Sequence, residues 1–258
     1  YTYSSGTSVV SPTTTTSYTV TGTSASGCVN SIGVVSTVTV NAIPTLAVNS
    51  GAICSGDSFT LTPSGASTYT YSSGSNVVSP TSTTSYTVTG TSASGCTNTA
   101  QRTITVVPNP TITATATPTA ICLGAASTLS ASGSTTYSWS TGATTQSTSV
   151  TPLLAGTSVY TVTGITAGCN GSTTVSVLVN PNPTITAVAS PTAICPGASA
   201  VLTASGASTY SWNTGATTGS ISVSPTVTTS YTVTGTSVSG CTAVATVSLL
   251  VNPTPTIV

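Results

Sequence analysis

Seven cysteines are the residues of this chain best suited to covalent chemistry, and their spacing is regular. One series follows or nearly follows glycine, at Cys28, Cys96, Cys169 and Cys241. A second series follows Ala-Ile, at Cys54, Cys122 and Cys195. Both recur at about 70 residues. Zinc sites draw on closely spaced cysteines and histidines. The chain has no histidine and no close cysteine pair, so the cysteines read as disulfide partners. With one early and one late cysteine per unit, the expected bridges are Cys54–Cys96, Cys122–Cys169 and Cys195–Cys241. Cys28 is then left over, its partner expected upstream. A core of about 70 residues is only marginally stable alone. Closing a loop of 40-odd residues adds about 4 kcal/mol in the chain-entropy description.

Other chemistry is excluded by composition. The charged residues are Asp57 and Arg102, 1% of the chain against about 25% in ordinary soluble domains. Lys, Glu, His and Met are absent. General acid–base catalysis needs groups that titrate near neutrality, so no dyad or triad can be assembled. Calcium needs several oxygen ligands that usually include carboxylates, which Asp57 alone does not supply. The expectation is therefore no enzyme activity, no cofactor and no metal. Asp57 and Arg102 could pair at the surface, which contributes at most about 1 kcal/mol. There is no basic patch for nucleic acid or anionic lipid. No apolar run approaches the length of a membrane helix, so no membrane insertion is expected.

The elements that carry the cysteines follow from the same repeat. Tyr-Thr-Val-Thr-Gly begins at Tyr18, Tyr86, Tyr160 and Tyr231. Thr, Val, Ile and Tyr are strand formers, and good helix formers are scarce. In the last unit the alternation predicts strands over 184–190, 199–204, 209–213, 220–224, 229–236 and 243–251. Pro191 to Gly197 reads as a turn holding Cys195. Leu202, Ile221, Val223, Val247, Leu249 and Val251 should point inward. Short strands with regular turn signals predict an all-β fold of tandem Ig-like Greek-key β-sandwich domains. Trp139 and Trp212, with Tyr71 in the same place, are expected core aromatics. Tyr86, Tyr160 and Tyr231 join them. Pro225 followed by Tyr231 resembles a tyrosine corner.

Pro-containing joints at 41–44, 107–110, 180–183 and 252–255 divide the chain. The expected domains are 1–44 (the later half of a repeat), 45–110, 111–183 and 184–258, the last running into a further unit at Thr256-Ile257-Val258. The chain thus reads as a window on a longer array. Such joints are semi-rigid, unlike Gly/Ser tethers.

Three stretches carry a family likeness: Ala193-Ile194-Cys195-Pro196-Gly197, residues 210–218, and Ser230 to Gly235 with Gly240-Cys241. They resemble the Ig-like and PKD-like repeats of Bacteroidota cell-surface proteins, and are similar to the repeats of gliding-motility adhesins. The resemblance covers the chain unit by unit. It implies an Ig-like sandwich, an extracellular or cell-surface location, export by the type IX route and no catalytic residues. The sequence departs from the family in lacking acidic residues before the late cysteine.

The function expected is a structural segment of an extracellular filament or adhesin stalk. Its partners would be copies of itself, meeting through neutral Thr/Ser-rich faces. An alternative is a carbohydrate- or surface-binding module for surface glycans. Ice binding through threonines such as Thr87, Thr89 and Thr91 is a third reading, weakened by the long period. Ser and Thr make up about two residues in five, which makes O-glycosylation an expected modification.

Overall fold

The computed structural model describes residues 1–255, so the expected start of a further unit at Thr256 lies outside the described residues. All regular structure among them is β. Two compact units, Tyr1–Asn109 and Pro110–Val258, are taken separately.

The first unit begins with β1 (Thr2–Tyr3), β2 (Thr16–Thr21) and β3 (Val34–Val38), an antiparallel sheet in that order. Next come β4 (Ala47–Val48), β5 (Gly51–Cys54), β6 (Phe59–Thr60), β7 (Pro63–Ser64), β8 (Thr68–Tyr71), β9 (Val77–Val78), β10 (Thr84–Thr91) and β11 (Thr97–Val107). One sheet has the order β5-β11-β10-β8. The facing layer is split into the pairs β4-β7 and β6-β9. Pro63 has no N–H to offer a ladder, and the Asn49 side chain fills the gap. Asn49 donates to the Thr60 carbonyl at 3.0 Å and accepts from the Thr62 amide at 2.7 Å.

The second unit holds two complete sandwiches. The first contains β12 (Thr113–Thr117), β13 (Ala120–Cys122), β14 (Ser127–Ser132), β15 (Thr136–Trp139), β16 (Ser147–Val150), β17 (Gly156–Thr166) and β18 (Cys169–Asn180). Its sheets are β12-β14-β16 and β13-β18-β17-β15. The second contains β19 (Thr186–Ser190), β20 (Ala193–Ile194), β21 (Ala200–Ser205), β22 (Thr209–Trp212), β23 (Ser220–Val223), β24 (Thr229–Thr236) and β25 (Thr242–Val251). Its sheets, β19-β21-β23 and β20-β25-β24-β22, repeat the same order. A three-stranded sheet facing a four-stranded one, with one strand crossing between them, is the Ig-like sandwich.

That crossing strand corrects the sequence reading. Residues 191–197 are not only a turn, because β20 pairs parallel with the end of β25, Ile194 opposite Val251. The chain leaves β19 through a cis Ser190-Pro191 peptide and joins the opposite sheet two residues later. A two-residue strand has no alternation to detect. The other expected strands of this sandwich appear within two residues of their predicted ends.

The cores form from the alternating positions. Leu202, Val233 and Leu249 are fully buried, with Trp212, Ile221 and Tyr231 around them. Leu129, Val162, Val177 and Trp139 do the same in the preceding sandwich. Val223, Val247 and Val251 are half-buried against their core. The Trp212 indole donates to the Thr218 carbonyl and Trp139 to Thr145, each at 2.9 Å, so neither buried N–H is orphaned. The hydroxyls of Tyr69, Tyr137 and Tyr210 each donate to the carbonyl three residues upstream, at 2.9–3.0 Å. Tyr71, Tyr86 and Tyr160 lie half-buried against their cores.

The glycine that closes the Tyr-Thr-Val-Thr-Gly string has a packing reason. A Cβ on Gly235 would meet the Ile185 and Ala207 side chains, and Gly90 and Gly164 meet their equivalents Leu46 with Ala66, and Ile112 with Ser134. The residue just ahead of the first strand of each sandwich thus packs directly on this glycine. On the outer faces, hydroxyls pair across strands: Ser85 with Thr103, Thr113 with Ser132 and Thr186 with Ser205, at 2.6–2.8 Å. Such pairs contribute about 0.2–1 kcal/mol each.

Overpacking at the glycine seam is testable. Gly235→Ala should destabilise the chain by about 1–3 kcal/mol in thermal or urea unfolding. Gly219→Ala is the control: its Cβ would sit in ordinary contact with the Tyr210 ring. It should change stability by no more than about 0.5 kcal/mol. Equal effects from the two substitutions would refute the packing argument.

Candidate functional site

The cysteines pair differently from the expectation. Cys122 is bonded to Cys241, with Cα atoms 5.5 Å apart and a sequence separation of 119. Cys54 and Cys169 are also disulfide-bonded. Cys28, Cys96 and Cys195 are free thiols. None of the expected bridges forms, since Cys96 and Cys195 are free and Cys122 is taken by Cys241. The idea of one internal bridge per sandwich is therefore corrected.

Strand geometry gives the reason. The early cysteine ends the crossing strand: Cys122 lies opposite Asn180, the last residue of β18. The late cysteine lies at the start of that same strand, at Cys169 for β18 and just before Thr242 for β25. A strand of 10 residues such as β25 spans about 33 Å. A disulfide tolerates about 7 Å between Cα atoms. Early and late cysteines of one sandwich therefore sit at opposite poles, too far apart to meet. The late cysteine is instead beside the end of the preceding sandwich. The Cys241 sulfur lies 3.9 Å from the carbonyl oxygen of Asn180, the residue paired with Cys122.

Local structure aims the late cysteine. The run Ser237-Val238-Ser239-Gly240-Cys241 forms a tight turn in which the Ser237 amide donates to the Cys241 carbonyl. The Cys241 amide donates back to the Ser237 hydroxyl at 3.2 Å. Gly240 takes a φ of +81°, a conformation that favours glycine. The same turn recurs at Ser92 to Cys96 and at Ser24 to Cys28. The joint is fastened too. The Asn182 side chain donates to the Leu123 carbonyl at 3.2 Å, next to the bridge. Asn109 makes the matching bond to Ser55 at 3.1 Å.

The remaining candidates are structural. Arg102 gives its donors to the Val48 and Gln101 carbonyls at 3.0 and 2.8 Å, not to Asp57. Thr87, Thr89 and Thr91 are half-buried on the inner strand β10 of their sheet. Among the described residues no cluster of three or more His, Cys, Asp or Glu could hold a metal. No helix there is long and apolar enough to cross a membrane.

Fold and bridge together define a class: tandem Ig-like sandwiches covalently tied from one to the next. Comparison with protein families gives no match, and comparison with curated proteins gives none. Solved structures do show similarity. One comes from work on a Ca2+-stabilized adhesin that helps an Antarctic bacterium reach out and bind ice. It is 18% identical, with a TM-score of 0.37, covering 93% of this chain and 82% of that one. A second comes from work on host cell surface retention of a 1.5-MDa bacterial ice-binding adhesin. It is 17% identical, with a TM-score of 0.33, covering 83% and 99%. The titin fragment I67–I69 is 12% identical, with a TM-score of 0.35, covering 83% and 100%.

Bridge connectivity can be read by peptide mapping after thiols are blocked with N-ethylmaleimide. A peptide linking Cys122 to Cys241 is expected, with the blocking group on Cys28, Cys96 and Cys195. Cys122→Ser removes a closure that, with the preceding sandwich folded, spans the 61 residues from Asn180 to Cys241. It should lower the stability of the last sandwich by about 4 kcal/mol. Recovery of Cys195–Cys241 peptides would rule out the pole-to-pole geometry.

Proposed function

We propose that this chain is a structural, non-catalytic segment of a long extracellular filament or adhesin stalk, in which tension passes from one sandwich to the next through disulfides. The observation that carries this reading is the Cys122–Cys241 bridge, which joins consecutive sandwiches beside their joint. A bridge inside one sandwich would stabilise that sandwich alone. A bridge between two also fixes how they can hinge and how far they can be pulled apart. Disulfides persist in oxidising surroundings, which supports a location outside the cell or at its surface.

The neutral surface supports self-association as the mode of assembly. Ser and Thr hydroxyls meet across faces without the cost of desolvating charge. Glycan binding has less support. The aromatics it would call upon, Tyr71, Tyr86, Tyr160 and Tyr231, are half-buried or buried against the cores.

Force spectroscopy tests the mechanical reading. The Cys122–Cys241 bridge alone removes 119 residues from the extensible contour. At about 3.4 Å per residue that is roughly 400 Å. Pulling the oxidised chain from its ends should give a contour shorter by at least that length than pulling it with reductant present. Equal contours in both conditions would sink the proposal. Assembly itself should persist in high salt, because one cation and one carboxylate leave little to screen. Dispersal of assembled material by moderate NaCl, followed by light scattering, would count against neutral-face contacts.

A further inference from the structure

Two stretches of the second unit run from pole to pole outside the loop that the Cys122–Cys241 bridge closes. One is β25, whose 10 residues begin directly after Cys241. It starts beside Asn180 of the preceding sandwich and ends opposite Ile194, whose carbonyl accepts from the Asn252 amide at 2.9 Å. The other is the segment from Pro110 to Cys122, which holds β12 and β13. At its start, a Cβ on Gly171, near the beginning of β18, would strike the Pro110 carbonyl oxygen. At its end, Cys122 lies opposite Asn180, the last residue of β18. Both stretches therefore lie lengthwise along their sandwiches, and the bridge joins the end of one to the start of the other. Strands β14 to β24 fall between the two cysteines.

Little spare chain exists along this route. A strand rises about 3.3 Å per residue, and a fully extended chain reaches at most about 3.6 Å. The 10 residues of β25 can thus lengthen by only about 3 Å. Pro110 to Cys122 covers the span of β18 from Gly171 to Asn180, about 30 Å, with about 40 Å of backbone. The slack of the whole route is then about 15 Å. A strand pulled along its own axis between two anchored ends has no length with which to peel from its neighbours. The ladder of β25 with β24 is spared the end-on opening that unzips a hairpin. Without the bridge, tension would enter the last sandwich at Pro183 and cross its sheets to leave at β25.

We infer that Pro110 to Cys122, the Cys122–Cys241 bond and β25 form a taut load line through the second unit, and that β14 to β24 carry no tension while the bond holds. The inference rests on the stalk reading and adds a fixed length to it. The two sandwiches keep their fold and their outer faces under pull, because backbone that is already extended stops further extension.

The test pulls the full chain through handles on azide-bearing residues placed at Thr111 and Thr254, both exposed. In the oxidised chain no abrupt lengthening beyond about 15 Å is expected at forces that unfold the reduced chain. A second variant carries a specific protease site between Leu153 and Leu154, which are 83% and 80% exposed and lie inside the closed loop. After cleavage the oxidised chain should stay tethered and give the same trace as before. Abrupt steps longer than about 15 Å in the oxidised chain, or a softer trace after cleavage, overturn the load line. Either result leaves the stalk reading standing if the oxidised contour is still shorter than the reduced one. Equal contours with and without reductant overturn both.

Discussion

An extended strand keeps its ends apart, and that separation governs the covalent structure of this protein. The early cysteine sits where the last strand of a sandwich ends, and the late cysteine sits where it begins. Ten to twelve residues of strand put more than 30 Å between them. Intramolecular pairing within one sandwich is thereby forbidden, and the nearest sulfur belongs to the neighbouring repeat. The crossing strand, the hairpin turn and the Asn-Pro joint all converge at that point. Their hydrogen bonds make sense as parts of one junction.

The sandwiches themselves are held by ordinary forces. Alternating Leu, Val, Ile and Ala fill each core, and a buried Trp anchors each complete sandwich of the second unit. The seam glycine allows the first strand to close over the sheet. Outside, paired hydroxyls take the place that charges hold on most proteins. Such a surface lacks the charge repulsion that keeps domains separate. Covalent ties between small cores and a nearly uncharged surface are the two features on which the proposed structural role rests.

Much of the fold was legible in the residues. The strands around Leu202, Trp212, Tyr231 and Leu249 followed from period-two alternation, and the turns from glycine and proline. The crossing strand was not legible. Ala193–Ile194 is too short to alternate, and its partner lies more than 50 residues away in sequence at Leu250 and Val251. The seam role of Gly235 was also hidden, because the reason is a side chain, Ile185, contributed by a residue just ahead of β19, 50 positions earlier in the chain.

The cysteine pairing shows the division most clearly. Residue types and spacing pointed to a repeating disulfide scheme and to a chain built of strands. They could not distinguish a bridge within a repeat from one between repeats, because a periodic sequence offers the same residues at every period. Tertiary structure decided it, by placing the two cysteines of each repeat at opposite ends of one stiff strand and bringing Cys241 beside Asn180 of the sandwich before it. Sequence distance is a property of the chain, whereas a disulfide answers only to distance in space.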